Sequence, residues 1–148
     1  MKNFSFLLMC SFFSLGLFGQ KNTPSAVLEA FQKLEPKVQT PIWEYREGAF
    51  VAMFSHVDGL KKVFFNEEGE WLETRTRIAY ESLPSGVKRF IDDHYAAANI
   101  TYIGKVDQHD STFYRVESEL LSSVVIKLLD EQGILLKENR IDWSFIPN

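Results

Sequence analysis

Residues 64–72 read FFNEEGEWL, and residues 128–136 repeat that pattern as LLDEQGILL. In each segment an apolar run is followed by Asn or Asp, two polar residues, a Gly and further apolar residues. Asn and Asp initiate tight turns, and Gly readily adopts the positive φ with which a chain reverses. Both segments therefore predict a β-hairpin, with Gly69 and Gly133 at the turns.

A second motif repeats upstream of each hairpin, since PSAV at residues 24–27 returns as PSGV at residues 84–87. Each copy opens a segment whose apolar residues are spaced by three and four positions, which places them on one helical face. A proline in the first turn suits the start of a helix. Because two motifs recur in the same order, the sequence indicates an internal duplication.

The segments between each helix and the end of its hairpin have the alternation and composition of β-strands. We therefore expect an α+β fold of two tandem modules, each made of one helix packed on a four-stranded antiparallel sheet. Residues 21–80 form the first predicted module and residues 81–148 the second, within one compact unit. The predicted strands are residues 42–46, 49–56, 61–65 and 70–78, followed by 100–106, 112–118, 124–129 and 134–141.

Residues 1–20 differ from the rest of the chain, because Lys2 is their single charged residue and most of the others are apolar. A basic start and an apolar run too short to span a bilayer are typical of a secretory signal peptide. We expect cleavage near Gly19 or Gln20, which predicts a periplasmic or secreted protein. Cys10 lies inside the apolar run, and a lipoprotein acylated at this residue is the alternative. If Cys10 is removed with the signal peptide, the mature chain contains no thiol.

The charge distribution excludes one class of partner. The formal net charge is −4, and the 16 Lys and Arg are scattered among 20 Asp and Glu. Nucleic-acid-binding proteins usually concentrate basic residues in a stripe, so we expect no nucleic-acid partner. No segment after residue 20 reads as a membrane span, so we also expect no stable membrane insertion of the mature chain.

A helix that covers one face of an antiparallel sheet leaves the other face open to a partner. Neighbouring strand residues point to opposite faces, and Phe50, Ala52 and Phe54 form a row suited to the core. The rows of opposite parity mix charges with apolar side chains. This mixture suits a contact surface, and a solvated face with cross-strand ion pairs is the alternative. The predicted ligand- or partner-binding residues are Glu44, Arg46, Met53, Trp71, Glu73, Arg75, Arg77 and Arg115.

Strand parity leads to further assignments. Leu72 and Ile78 are expected on the core row of the last strand in the first module. Lys105 and Glu117 are expected on the contact rows of the second module, together with Arg115.

A proline-led first helix is followed by AFVAMF at residues 49–54, FNEEGEWLET at residues 65–74 and Leu83-Pro84 before the second helix. Together these segments resemble the PepSY-like family of exported bacterial proteins, which is similar in fold to beta-lactamase-inhibitor protein. The resemblance spans about residues 24–140. It implies tandem helix-plus-sheet modules and inhibition of an enzyme as one activity, and it supplies no catalytic residues to transfer.

Residues that could carry chemistry are few. The three histidines are His56, His94 and His109. The segment DQHD at residues 107–110 offers three candidate metal ligands, but it has the composition of a hairpin turn and zinc sites need three or four enclosed ligands. The chain lacks the Gly-x-Ser-x-Gly, Gly-x-Gly-x-x-Gly and phosphate-binding Gly-Lys-Ser/Thr motifs.

These observations predict an exported, non-catalytic binding module without a metal or other cofactor. Its partner would be a protein or an extracellular ligand, bound through the open sheet face. One alternative is an inhibitor or regulator of an exported hydrolase. The other, from a different class, is a small hydrolase or metal-dependent enzyme.

Overall fold

Two α-helices and eight β-strands make up the part of the chain that the structure describes, which is residues 22–95 and 99–142 of a computed structural model. The predicted signal peptide and Cys10 lie outside the described residues. In chain order the elements are α1 (Ser25–Leu34), β1 (Ile42–Arg46), β2 (Ala49–His56), β3 (Gly59–Phe65), β4 (Trp71–Arg77), α2 (Ser85–His94), β5 (Ile100–Asp107), β6 (Thr112–Leu120), β7 (Ser123–Leu129) and β8 (Leu135–Asp142), with a short 3₁₀ turn at Tyr80–Ser82 between β4 and α2.

All eight strands belong to one antiparallel sheet, in the order β1 to β8. The prediction of two tandem modules with separate four-stranded sheets is therefore wrong. The two halves join where residues Thr74 to Arg77 of β4 pair with residues Gly104 to Asp107 of β5. A strand at a sheet edge has unpaired backbone N–H and C=O groups. Pairing β4 with β5 satisfies these groups and removes two edges from the fold.

Both helices pack on the same face of this sheet, which we call the helix face. Helix α1 buries Val27 and Phe31 against a core from β2 and β3, and α2 buries Val87 and Ile91 against a core from β6 and β7. Directly opposed strand residues share a face. One row of such residues crosses six strands and connects the two cores: Phe54, Lys61, Thr76, Lys105, Tyr114 and Leu129.

The two hairpins with the repeated sequence have closely matching geometry. Gly69 and Gly133 both have a φ of 84°. Asn66 Oδ1 accepts hydrogen bonds from the N–H groups of Glu68 and Glu70, and Asp130 Oδ1 accepts one from the N–H of Ile134. The turn chemistry read from the sequence is thus present in the structure. The register shifts in the same place in both hairpins, at Phe64/Phe65 and at Leu128/Leu129.

Candidate functional site

The sheet surface opposite the helix face is open within the described ranges, because both helices pack on the other side. We call it the open face. It carries charged residues in the middle of the sheet, supported by a small apolar cluster of Ala49, Val51 and Phe64 with Met53 packed against it. The residues that shape its centre are Glu73, Arg75, Arg77, Tyr102, Arg115 and Glu117.

Most of the predicted contact residues lie together on the open face. At its β1 edge, Arg46 Nη2 lies 3.6 Å from Glu44 Oε2, and this ion pair is exposed. The role of the predicted contact residues in binding a partner stays a prediction. The predicted residues that share this face are Glu44, Arg46, Met53, Glu73, Arg75, Arg77 and Arg115.

Trp71 is the exception, since it lies on the helix face. Residue Phe65 opposes Trp71, whereas the preceding residue Phe64 opposes Glu73. Leu72 is therefore an extra residue in a β-bulge, and a bulge inverts the face assignment of the residues on one side of it. Trp71 packs against the core of the first half, and its Nε1–H donates a 3.0 Å hydrogen bond to Thr74 Oγ1. Leu72, expected in the core, is exposed instead.

The parity of β5 also differs from the prediction. Lys105 opposes Thr76 and Tyr114, so it lies on the helix face rather than on the contact rows. The residues of β5 that line the open face are Tyr102, Gly104 and Val106. Sequence reasoning missed Tyr102 and Gly104. No local pattern marks them, because only the register with β6 places Gly104 opposite Arg115.

Arg75 is held firmly on the open face. Its Nε donates to Glu73 Oε1 at 2.5 Å and its Nη2 to Glu47 Oε2 at 3.2 Å. Its guanidinium carbon lies 4.1 Å from the centroid of the Phe64 ring, a cation–π arrangement. Phe64 is only 4% exposed, so Arg75 helps to cover the apolar cluster as well as presenting charge.

Arg77 and Arg115 flank the same residue of β5, since Gly104 opposes both of them. A Cβ on Gly104 would overlap the Tyr102 ring, so glycine is needed for the ring to lie over β5 at this point. Arg77 is exposed, and its Nη2 donates to the carbonyl oxygen of Thr101 at 3.3 Å. Among the described residues no carboxylate lies within ion-pair distance of Arg77.

Arg115 is more enclosed than Arg77. Its Nε donates to Glu117 Oε1 at 2.5 Å, and the side chains of the two residues are 17% and 25% exposed. This pairing along one strand holds the guanidinium group in place beside Tyr102. The centre of the open face is therefore preorganised around the Tyr102 phenol. The guanidinium groups of Arg75 and Arg115 are paired with carboxylates, and that of Arg77 is bound to a backbone carbonyl oxygen.

The phenol of Tyr102 is protonated at neutral pH. Burial raises the pKa of Tyr102 and Glu117 raises it further, while Arg115, Arg75 and Arg77 oppose the increase. A protonated phenol donates a hydrogen bond. The open face can thus offer hydrogen-bond donors from both arginine and tyrosine to an acceptor on a partner.

The three histidines have separate partners. His56 Nδ1 lies 3.1 Å from Asp58 Oδ2, and His94 stacks on Phe90. His109 lies 3.0 Å, through Nε2, from the carbonyl oxygen of Trp71. Across residues 22–95 and 99–142, no group of three or more His, Cys, Asp or Glu could hold a metal ion, and no helix is long and apolar enough to cross a membrane.

Comparison with known proteins finds one matching family model and several solved structures of similar fold. A family model described as "Putative beta-lactamase-inhibitor-like, PepSY-like" matches residues 49–137. A search of curated proteins gave no significant match.

Several solved structures from Bacteroides species resemble the chain. One described as "putative periplasmic proteins", from Bacteroides eggerthii, has a TM-score of 0.72 at 17% identity and covers 82% of this chain and 91% of that chain. A BLIP-like protein from Bacteroides fragilis has a TM-score of 0.69 at 23% identity, with 84% and 90% covered. A protein from a family of unknown function in Bacteroides ovatus has a TM-score of 0.70 at 23% identity, with 80% and 89% covered. At these identities the likeness shows the fold alone.

Proposed function

Because the chain belongs to the PepSY-like, beta-lactamase-inhibitor-like family, we propose that it is an exported, non-catalytic module that binds a protein through the open face. The observation that supports this most directly is the arrangement around Gly104. Arg77 and Arg115 flank this residue from neighbouring strands, with the Tyr102 ring above it. A surface whose charged groups are already held in place loses little conformational entropy on binding.

The chemistry of this centre indicates which groups on a partner it would accept. Guanidinium groups form bidentate, charge-assisted hydrogen bonds with carboxylates. Arg77 has no carboxylate within ion-pair distance among the described residues, and it is exposed. We propose that the partner presents Asp or Glu side chains to Arg77 and Arg115. Because these arginines come from residues 21–80 and 81–148, the two halves act as one binding unit.

Capture from an envelope extract tests this proposal with matched variants. The binding variant is Arg77→Ala with Arg115→Ala. The control is Lys33→Ala with Arg89→Ala, which removes the same charge from exposed positions on the helices. We expect a partner identified by mass spectrometry to bind wild type and control but not the binding variant. A partner that the binding variant retains, or that the control also loses, would refute the role of the open face.

Inhibition or regulation of an exported hydrolase is the second candidate. It is favoured by the family description and by the likeness to a BLIP-like protein. The test is the hydrolysis rate of a chromogenic cephalosporin by a panel of beta-lactamases with added protein. A rate that falls with wild type and recovers with the Arg77→Ala, Arg115→Ala variant would support this function, and unchanged rates across the panel would count against it.

Export is part of the proposal. We propose that residues 1–20 are removed and that the mature chain is periplasmic or secreted, as predicted from Lys2 and the apolar run. Intact mass spectrometry of the protein recovered from each cell fraction tests this. A full-length protein, or a mass increase that maps to an acyl group on Cys10, would contradict it.

A further inference from the structure

Strand β8 is a long, exposed edge of the sheet. It pairs with β7 on one side, and the described residues place no strand on its other side. All eight of its residues are exposed, including Leu135, Leu136 and Ile141, which are 43%, 57% and 55% exposed. Such an edge presents unpaired backbone N–H and C=O groups and is a template for pairing with another strand.

The two edges of the sheet differ in how they are protected. Strand β1 has five residues and follows Pro41, and short length and a nearby proline are common edge protections. Strand β8 has eight residues, Leu135 to Asp142, and contains no proline or glycine. Its register with β7 is regular from Ser123 to Leu128. Charged side chains are the remaining protection of β8 against pairing with another strand. They disfavour pairing only where residues of like charge would lie opposite each other.

Among the registers centred on residues 138, 139 and 140, the charges of β8 favour the one centred on Asn139 for pairing with a second copy. Opposed residues in an antiparallel pair share a face, so residues of equal parity must pair. With Asn139 opposite Asn139 of the second copy, Glu138 opposes Arg140 twice. A pairing centred on Glu138 or on Arg140 would place that residue opposite its own copy, and like charges in opposed positions are unfavourable.

The side chains of Glu138 and Arg140 are both accessible for an ion pair with a second copy. Glu138 Oε2 lies 3.7 Å from Lys127 Nζ, and the Glu138 side chain remains 46% exposed. Within residues 22–95 and 99–142, no carboxylate lies within ion-pair distance of Arg140. Both residues lie on the helix face, since Glu138 opposes Lys127 and Arg140 opposes Val125.

We propose that two copies of this chain associate through antiparallel β8 strands centred on Asn139, forming one continuous sheet of sixteen strands. The two-fold axis is then perpendicular to the sheet, so both open faces point to the same side. Lys137, Asn139 and Ile141 of each copy lie at the centre of the combined face. This association does not depend on the proposed partner, because it uses β8 rather than Arg77 and Arg115.

Charge reversal tests the contact between Glu138 and Arg140. We expect sedimentation equilibrium to show a dimer for wild type, and Glu138→Arg or Arg140→Glu alone to raise its dissociation constant at least about tenfold, because each reversal makes two opposed pairs repulsive. An equimolar mixture of the two variants should form a heterodimer, since every contact is then complementary. Circular dichroism melting of each variant checks that it is folded.

A cysteine scan gives a second test that leaves these charges in place. With Cys10 absent or changed to serine, Asn139→Cys places two thiols on opposed residues, where the Cα–Cα distance of about 4.5–5.5 Å suits a disulfide. Mild oxidation should cross-link this variant but not Ile141→Cys, whose opposed residue is Lys137 of the second copy. A monomeric wild type at about 1 mM, equal cross-linking of the two variants, or open-ended filaments would overturn the proposal.

Discussion

Gly69, in the turn between β3 and β4, lies directly against the backbone of Ala26 in α1. A Cβ added to Gly69 would stand 2.5 Å from the carbonyl oxygen of Ala26. The same relationship joins Gly133, between β7 and β8, to the backbone of Gly86 in α2. In each half, the hairpin turn therefore packs on the first turn of a helix. This contact sets the position of the helix on the sheet.

Replacing Gly69 with alanine should lower the free energy of unfolding by more than the strain of its positive φ alone would. Gly48 provides the control, because its φ is 79° and nothing lies within 4 Å of its Cβ position. We expect Gly48→Ala to lower the free energy of unfolding by about 1–2 kcal/mol, the cost of a left-handed conformation. Gly69→Ala should lower it by about 3 kcal/mol or more, because α1 must also shift. Urea denaturation measures both, and equal losses would refute the contact.

Trp71 should contribute to stability rather than act as an exposed anchor for a partner. Its ring packs against the core of the first half and lies 4.9 Å from the His109 ring. Trp71→Ala should lower the free energy of unfolding by about 3 kcal/mol. Leu72→Ala, at the neighbouring exposed residue of the bulge, should change it by less than about 1 kcal/mol. If both variants melt like wild type, Trp71 does not support the core.

Arg75 and Arg77 should behave differently although both lie on the open face. Arg75 covers Phe64, so Arg75→Ala exposes an aromatic ring and should lower the free energy of unfolding by about 1–2 kcal/mol. Arg77 is exposed, and Arg77→Ala should change it by no more than about 0.5 kcal/mol. A loss of partner binding in Arg77→Ala can therefore be separated from a loss of stability, which is not the case for Arg75→Ala. A stability loss at Arg77 equal to that at Arg75 would contradict this distinction.

Stability should fall at alkaline pH, in part because of Tyr102. Its pKa in the folded chain is raised by burial, whereas a tyrosine in the unfolded chain has a pKa of about 10. Below pH of about 10 both states are protonated, and above it the unfolded chain loses the proton first, so the free energy of unfolding falls as pH rises. Urea denaturation at pH 8 and about pH 11 should show a smaller fall for Tyr102→Phe than for wild type. An identical fall would show that Tyr102 ionises equally in both states.

Local patterns in the sequence were sufficient to locate the helices and hairpin turns. Pro24 and Pro84 precede the two helices, and Gly69 and Gly133 take the positive φ expected of turn residues. The core row of Phe50, Ala52 and Phe54 also follows from strand alternation alone. Each of these features depends on interactions between residues close in the chain, whose energies the sequence displays directly.

The sequence by itself therefore determined the elements, their turns and most of the charged open face. The tertiary structure decided how these parts combine. Pairing of β4 with β5 made one sheet instead of two, and this pairing joins residues about 30 positions apart through backbone groups that every residue carries. One bulge residue, Leu72, moved Trp71 to the helix face, because side-chain direction alternates with every residue and a single insertion inverts it. Tyr102 and Gly104 became part of the site for the same reason, since register across strands, and not composition, brings them between Arg77 and Arg115.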